Sequence, residues 1–168
     1  MKIELGGGVK PRGEGFVNYD VLPCADVVCD LSEGIPLDDD SVDEVYSSHC
    51  LEHIPDPMAV LREICRVCKV GGTTEIRVPH ANSQLAMVWD HKHVFSEVAV
   101  MNFDEHFPHE FWTGPKRLKL VRTEYGCQEP LFSEACKLFP RLSHEQVLRF
   151  IPGTCHECHF HFVTQANG

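Results

Sequence analysis

Apolar residues along the first half of the chain come in short runs, each closed by a turn signal. Lys2 to Leu5 reads as a strand stopped by Gly6-Gly7-Gly8, and Gly15 to Tyr19 as a second strand ending at Asp20. Asp26 to Cys29 is a third, ending at Asp30, and Asp43 to Ser47 a fourth, introduced by Asp38-Asp39-Asp40-Ser41. The period then changes. Asp56 suits an N-cap and Pro57 the first helical position, and Val60, Leu61, Ile64, Val67 and Cys68 recur at helical spacing until Gly71-Gly72. Thr73 to Val78 follows as a fifth strand, closed by Pro79. Strand, helix and strand at this spacing make a βαβ unit, so the sheet is expected to be largely parallel.

The second half is less regular. Residues 80–116 have no strong period and gather histidines and both tryptophans, Trp89 and Trp112. Arg117 to Glu124 reads as a strand, and Ser143 with Gln146 as a capping box opening a short helix to Phe150. After Pro152-Gly153, Cys155 to Thr164 reads as a last strand, expected to be antiparallel. The predicted fold is α/β and doubly wound, a mostly parallel sheet in a single domain over residues 1–168. Its first crossover is unusual. The segment from Gly8 to Gly15 contains Pro11 and Gly13 and falls short of the ~10–12 residues that a crossover with its own helix needs, so that helix is expected to be reduced or missing.

Composition narrows the function. A net charge of −10 weighs against a nucleic-acid partner, whose binding rests on neutralised phosphates. The one basic cluster, Lys116-Arg117-Leu118-Lys119, reads as a solvated loop. No run approaches the ~20 apolar residues of a membrane span, and the opening residues lack a signal peptide's pattern, so a cytoplasmic location is expected. Most of the nine cysteines, an odd number, sit in apolar runs; Cys24, Cys29, Cys65 and Cys68 read as small buried hydrophobes, and no disulfide framework is expected.

The chemistry gathers where the strands end. A glycine turn directly after the first strand lets backbone approach a ligand closely. Asp20, at the end of the second strand, is placed to accept from both ribose hydroxyls of an adenosine. Asp30, at the end of the third, is placed to accept from the adenine amino group while Leu31 packs on the ring. A dinucleotide would want its pyrophosphate on the N-terminus of a first helix, which this chain lacks the length for. An adenosine cofactor without phosphates is the better match.

These segments resemble the small Rossmann-like (class I) S-adenosylmethionine-dependent methyltransferases. The resemblance runs through Ile3-Glu4-Leu5-Gly6-Gly7-Gly8, Val17-Asn18-Tyr19-Asp20 and Asp30-Leu31. It continues through Val42 to Ile54, Leu61 to Gly72 and Arg77-Val78-Pro79-His80, about the first half of the chain in family order. It implies methyl transfer from S-adenosylmethionine, leaving S-adenosylhomocysteine. It also implies a cofactor site lined by Glu4, Gly6, Gly7, Gly8, Asp20, Asp30, Leu31, Ser48 and His49. Val70 stands where the family usually has Pro, and the chain starts at its first strand without the helical extension of larger members. Residues 80–116 are therefore expected to cover the substrate, or else a partner subunit or second copy covers the open cofactor side. Asp90 and His93 keep the spacing of a family Asp-His pair, which makes His93 the candidate base, Asp90 its support and His91 a further candidate. Ser48-His49-Cys50 is not the Asn/Asp-Pro-Pro-aromatic run of nucleobase amino methylation, which points to a small-molecule acceptor.

Three competing readings come from other features. A non-catalytic S-adenosylmethionine-binding subunit completed by a partner would also explain the short crossover. His49-Cys50-Leu51-Glu52-His53 fits the H-x-x-E-H zinc hydrolase pattern. Cys155-His156-Glu157-Cys158-His159-Phe160-His161 resembles a metal string, but on a strand its successive ligands would diverge. No metal is expected from the sequence.

Overall fold

The computed structural model describes residues 1–13, 15–103 and 114–166. Seven strands form one sheet in the order β3-β2-β1-β4-β5-β7-β6. They are β1 (Lys2–Leu5), β2 (Phe16–Asp20), β3 (Val27–Val28), β4 (Val42–Ser48), β5 (Cys68–Pro79), β6 (Lys116–Cys127) and β7 (Cys155–Ala166). The first five run parallel, and β7 is antiparallel to both β5 and β6, so the expected α/β architecture holds.

Helix α1 (Pro57–Val67) connects β4 to β5. Asp56 caps it by accepting from the Ala59 N–H, and Pro57 opens it, as the sequence indicates. Val60, Ile64 and Val67 are fully buried, in one core with Ile3, Leu5, Val45, Ile76, Phe160 and Phe162. The helix ends sooner than its pattern predicts. Lys116 Nζ donates to the carbonyls of Arg66 and Cys68 and pairs with Asp40, a cation seated at the negative end of the helix. The basic cluster is therefore the start of β6 and not a solvated loop; its Leu118 is buried. Gly71-Gly72 is not the helix cap but a bulge inside β5. Val42 pairs with Cys68 and Glu44 already with Thr73, and a Cβ on Gly72 would lie 2.9 Å from the Lys69 carbonyl oxygen.

Arg66 ties the chain before β4 onto α1. Its guanidinium donates to the carbonyls of Leu37 and Ile35 and pairs with Glu63 and Asp39. Arg66→Met is expected to cost about 2 kcal/mol in urea unfolding, from the loss of charge-assisted hydrogen bonds discounted for a third-exposed side chain. Glu63 is held below its ordinary value, first by Arg66. Its contribution is present above pH ~4.5 and lost as pH falls through the depressed pKa, so the variant should also have a shallower acid limb. A stability and an acid limb equal to wild type would show that this network is dispensable.

No helix occurs among the described residues between β1 and β2. Arg12 occupies part of that space instead. Its guanidinium lies 4.0 Å from the centre of the Tyr46 ring and 5.2 Å from that of Phe16, its Nη1 is 3.8 Å from Glu75 Oε2, and its N–H donates to Glu4 Oε2. One stacked arginine stands where a helix would otherwise cover the sheet. Past β5, residues 80–103 form two 3-10 turns, Gln84–Met87 and Glu97–Phe103; residues 104–113 of the expected covering segment lie outside the described residues. Helix α2 (Leu131–Leu138) had no counterpart in the sequence pattern, whereas α3 (His144–Phe150) opens on the expected capping box. Cys65, Cys68, Cys155 and Cys158 are buried and free, but Cys24 is exposed, contrary to expectation, because the turn before β3 lies on the surface. No described helix is long and apolar enough to cross a membrane.

Candidate functional site

The parallel strands β1, β2 and β4 end on one edge, and an open cleft of about 500 Å³ lies there. That is within the ~300–1,000 Å³ of small-ligand sites, at the edge where open α/β sheets bind them. Gly6, Asp20, Asp30, Leu31, His49 and Asp90, all singled out in the sequence, line it. Val21, Leu22, Cys50, His53 and Ile54 complete the lining.

Each acid is held by backbone. Asp20 Oδ2 accepts from the Gly8 N–H at 2.8 Å and Oδ1 from the Leu22 N–H at 2.9 Å. A carboxylate has about four acceptor positions, so two remain for a ligand. Asp30 Oδ1 caps the 3-10 turn Leu31–Glu33 through the Ser32 N–H, which fixes the side chain and leaves its other oxygen uncommitted. Glu4, Gly7, Gly8 and Ser48 support the cleft without lining it. Glu4 is buried and accepts from Arg12, and burial raises its pKa. Gly7 donates to Asn18 Oδ1.

His49 leaves β4 with φ +52, a backbone conformation uncommon for a side-chain-bearing residue and frequent at functional sites. Its Nε2 lies 3.1 Å from Glu157 Oε2 and its Nδ1 3.3 Å from Glu52 Oε1. Glu157 first, then Glu52, push its pKa up to about 9, so the ring is an imidazolium at neutral pH. Glu157 is held well below the carboxylate range, chiefly by His159 and then by His49. Next to it, burial pushes the Cys50 thiol up to about 12, leaving it neutral. Glu157 was absent from the sequence-based site. The signal available was its strand face, shared with His159, which pairs with Arg77 across β5.

The structure does not bring Asp90 and His93 together, so the expected pair is corrected. Asp90 Oδ2 lies 3.3 Å from His53 Nδ1, while His93 Nε2 contacts the Pro55 carbonyl at 3.0 Å and lines a separate apolar cavity beside α1. The cause is the backbone of the segment: the N–H groups of Lys92 and His93 both point at the Glu52 carbonyl. His91 instead packs edge-on against His53, with ring centres 4.7 Å apart.

The lining has a clear sign. Three carboxylates, Asp20, Asp30 and Asp90, face the cleft, and among the described residues no lysine or arginine lines it. The imidazolium of His49 is already matched by two glutamates. A phosphate group would meet only repulsion there, whereas a cationic ligand carrying hydroxyls is complemented. The lining would suit an adenosine bearing a sulfonium: free acceptor positions remain on Asp20 and Asp30, and Leu31, Val21, Leu22 and Ile54 offer apolar surface for a base.

The fold is of the class I methyltransferase type, and comparison with known proteins upholds the resemblance seen in the sequence. A family model described as methyltransferase domain matches residues 12–76. No curated protein sequence matches the chain. Among solved structures, an S-adenosylmethionine-dependent methyltransferase from Archaeoglobus fulgidus superposes with a TM-score of 0.63 at 16% identity, over 96% of this chain and 85% of the other. A chain from the complex of the Haloferax volcanii Trm112 methyltransferase activator with a putative methyltransferase gives 0.60 at 21%, over 96% and 81%. Phosphoethanolamine N-methyltransferase 2 from Haemonchus contortus, solved with S-adenosyl-L-methionine, gives 0.57 at 17%, over 96% and 48%.

Proposed function

We propose that this protein binds S-adenosylmethionine in the cleft and transfers its methyl group to a small-molecule acceptor. The observation that carries this is the lining of the cleft itself, three carboxylates and, among the described residues, no lysine or arginine. When bound, the cofactor supplies an electrophilic methyl group on a positively charged sulfur. The chain's own work is alignment. Asp20 and Asp30, each fixed by backbone N–H groups, orient the nucleoside, and Gly6 admits it close to the backbone of β1. The acceptor enters past Asp90 and His53. Its lone pair takes the methyl carbon in line, the broken bond's pair remains on sulfur, and its proton leaves to a nearby base. Asp90 and His53 line the cleft and His91 packs on His53, so these three stand nearer this step than His93. Residues 80–116 are proposed to close over the acceptor, and the acidic net charge favours a small molecule over nucleic acid.

Calorimetry tests the donor. S-Adenosylhomocysteine should bind and NAD should not, and Asp20→Ala should weaken the first by ~1–3 kcal/mol through lost ribose hydrogen bonds. Equal binding by the variant, or NAD binding as tightly, would remove the basis of the proposal. A second reading, a cofactor-binding subunit completed by another chain, is favoured by the crossover, where Arg12 lies over the sheet and no helix occurs among the described residues. One structural neighbour comes from a complex with an activator. That reading predicts S-adenosylhomocysteine binding with no turnover of any acceptor by the isolated chain.

A further inference from the structure

At one wall of the cleft, the 3-10 turn Leu51–His53 carries a glutamate that the proposed reaction leaves unused. Glu52 is fully buried, yet among the described residues neither oxygen of its carboxylate has a hydrogen-bond partner. His49 Nδ1 stands 3.3 Å from Oε1 but off the line of a hydrogen bond. The His49 imidazolium offsets part of the cost of burying this carboxylate, but it leaves both oxygens short of hydrogen-bond donors, an arrangement that a folded chain rarely keeps without a ligand. Two imidazoles are beside it. His91 Nδ1 is likewise buried and unpartnered, and His53 packs edge-on to His91. One ligand atom from each of Glu52, His53 and His91 lies within 4.8 Å of the others. Donors on one tetrahedral zinc ion sit about 3.4 Å apart, so the set closes once the part-exposed His53 and His91 rings move by ~1–1.5 Å.

We propose that Glu52, His53 and His91 form a site for a divalent transition-metal cation, zinc by the two-nitrogen, one-oxygen donor set, at the mouth of the cleft. Asp90 completes it from behind. Its Oδ2 lies 3.3 Å from His53 Nδ1, the carboxylate-histidine arrangement that fixes a ligand's tautomer and presents the other ring nitrogen to a metal. Three protein ligands leave a coordination position open, as in catalytic and unlike structural zinc sites. His53 and Asp90 line the cleft, so that position belongs to the acceptor's side. On the methyl-transfer reading, on which this role rests, the acceptor is a hydroxyl compound bound through its oxygen. The cation eases loss of the hydroxyl proton to Asp90, and the oxygen lone pair then forms the bond to the methyl carbon as the carbon–sulfur pair withdraws to sulfur.

The sequence offered these residues only as the H-x-x-E-H pattern, with His49 and His53 as the two imidazoles around Glu52. The segment is a 3-10 turn, His49 is engaged by Glu157, and the second imidazole arrives from residue 91, far along the chain.

Full-length protein freed of metal by a chelator should be titrated with Co²⁺, followed by its visible absorption, and with Zn²⁺, followed by dialysis and elemental analysis. One ion per chain is expected, with His91→Ala and Glu52→Gln weakening binding at least about 100-fold and His144→Ala, on α3, leaving it unchanged. Glu52→Gln alters a fully buried group and can fail to fold; His91→Ala, at a part-exposed ring, then decides the matter, provided its circular dichroism matches wild type. Far less than one ion per wild-type chain, or an ion lost on Cys158→Ala but kept in His91→Ala, overturns the proposal. S-Adenosylhomocysteine calorimetry on the same samples separates the two claims. Metal held through His91 without S-adenosylhomocysteine binding sustains the site and sinks the donor reading, and the reverse result does the opposite.

Discussion

Gly6→Ala is expected to lower stability by ~2–5 kcal/mol and to weaken S-adenosylhomocysteine binding by at least about tenfold. Two separate costs add. The residue has φ +71, where a side chain costs roughly 1–2 kcal/mol. An added Cβ would also lie 2.4 Å from Cys50 Sγ and 2.5 Å from its Cβ, so one of the two chain segments must move. Overpacking of this kind costs about 1–3 kcal/mol. Both residues line the cleft, and Gly6 donates its N–H to the Tyr19 carbonyl, one residue before Asp20. A shift there reaches the ribose-binding carboxylate directly.

Gly8 separates the two costs. It has φ +60, but a Cβ there meets nothing within 4 Å, so Gly8→Ala should show the conformational cost alone, about 1 kcal/mol. The double variant Gly6→Ala/Cys50→Gly removes the clashing atoms and should recover part of the loss, a coupling that a denaturation cycle measures directly. Equal effects at Gly6 and Gly8, with no rescue, would show that close packing of β1 against the turn after β4 is not what the glycine serves.

The elements that could be read from the sequence are those whose side chains obey one period and one partner. β1, β2 and β4 are short runs between turn signals whose ends are buried on both faces of the sheet, and α1 presents Val60, Leu61, Ile64 and Val67 as a single stripe. Where a distant residue decides, the pattern misleads. Val67 ends α1 because Lys116 takes up its last carbonyls, and nothing near Val67 announces a lysine from β6. Helix α2 was missed because it buries little: Ala135 is buried, but Leu131 and Leu138 stay exposed, so no apolar stripe forms. The same division runs through the site. Gly6, Asp20, Asp30 and Leu31 sit at strand ends, a position that local pattern fixes, and all four line the cleft. Glu157 reaches His49 across more than half the chain, and Asp90 meets His53 and not His93 because the Glu52 carbonyl sets the path of residues 92 and 93. Spacing along a loop says little about which side chains meet in space.

Phe160→Ala is expected to have the largest effect on stability, ~3–5 kcal/mol. β7 is the one strand that joins the antiparallel edge to the parallel sheet, with β5 on one side and β6 on the other. Phe160 lies near its middle, opposite Ile76 on β5 and Thr123 on β6, and is 2% exposed in the core it shares with α1. Truncation removes most of its buried apolar surface and leaves a cavity that a sheet paired on both sides cannot collapse to fill. Against the ~5–15 kcal/mol that holds a typical domain together, this is about a fifth of the total or more. The loss should also reach the cleft, since β7 carries Glu157, which holds His49 at the cleft wall. Urea unfolding should show a lower midpoint with an unchanged slope, because the surface exposed on unfolding is nearly the same. A loss below about 1 kcal/mol would mean that β7 is not packed between its neighbours as described, and the placement of Glu157 beside His49 would fall with it.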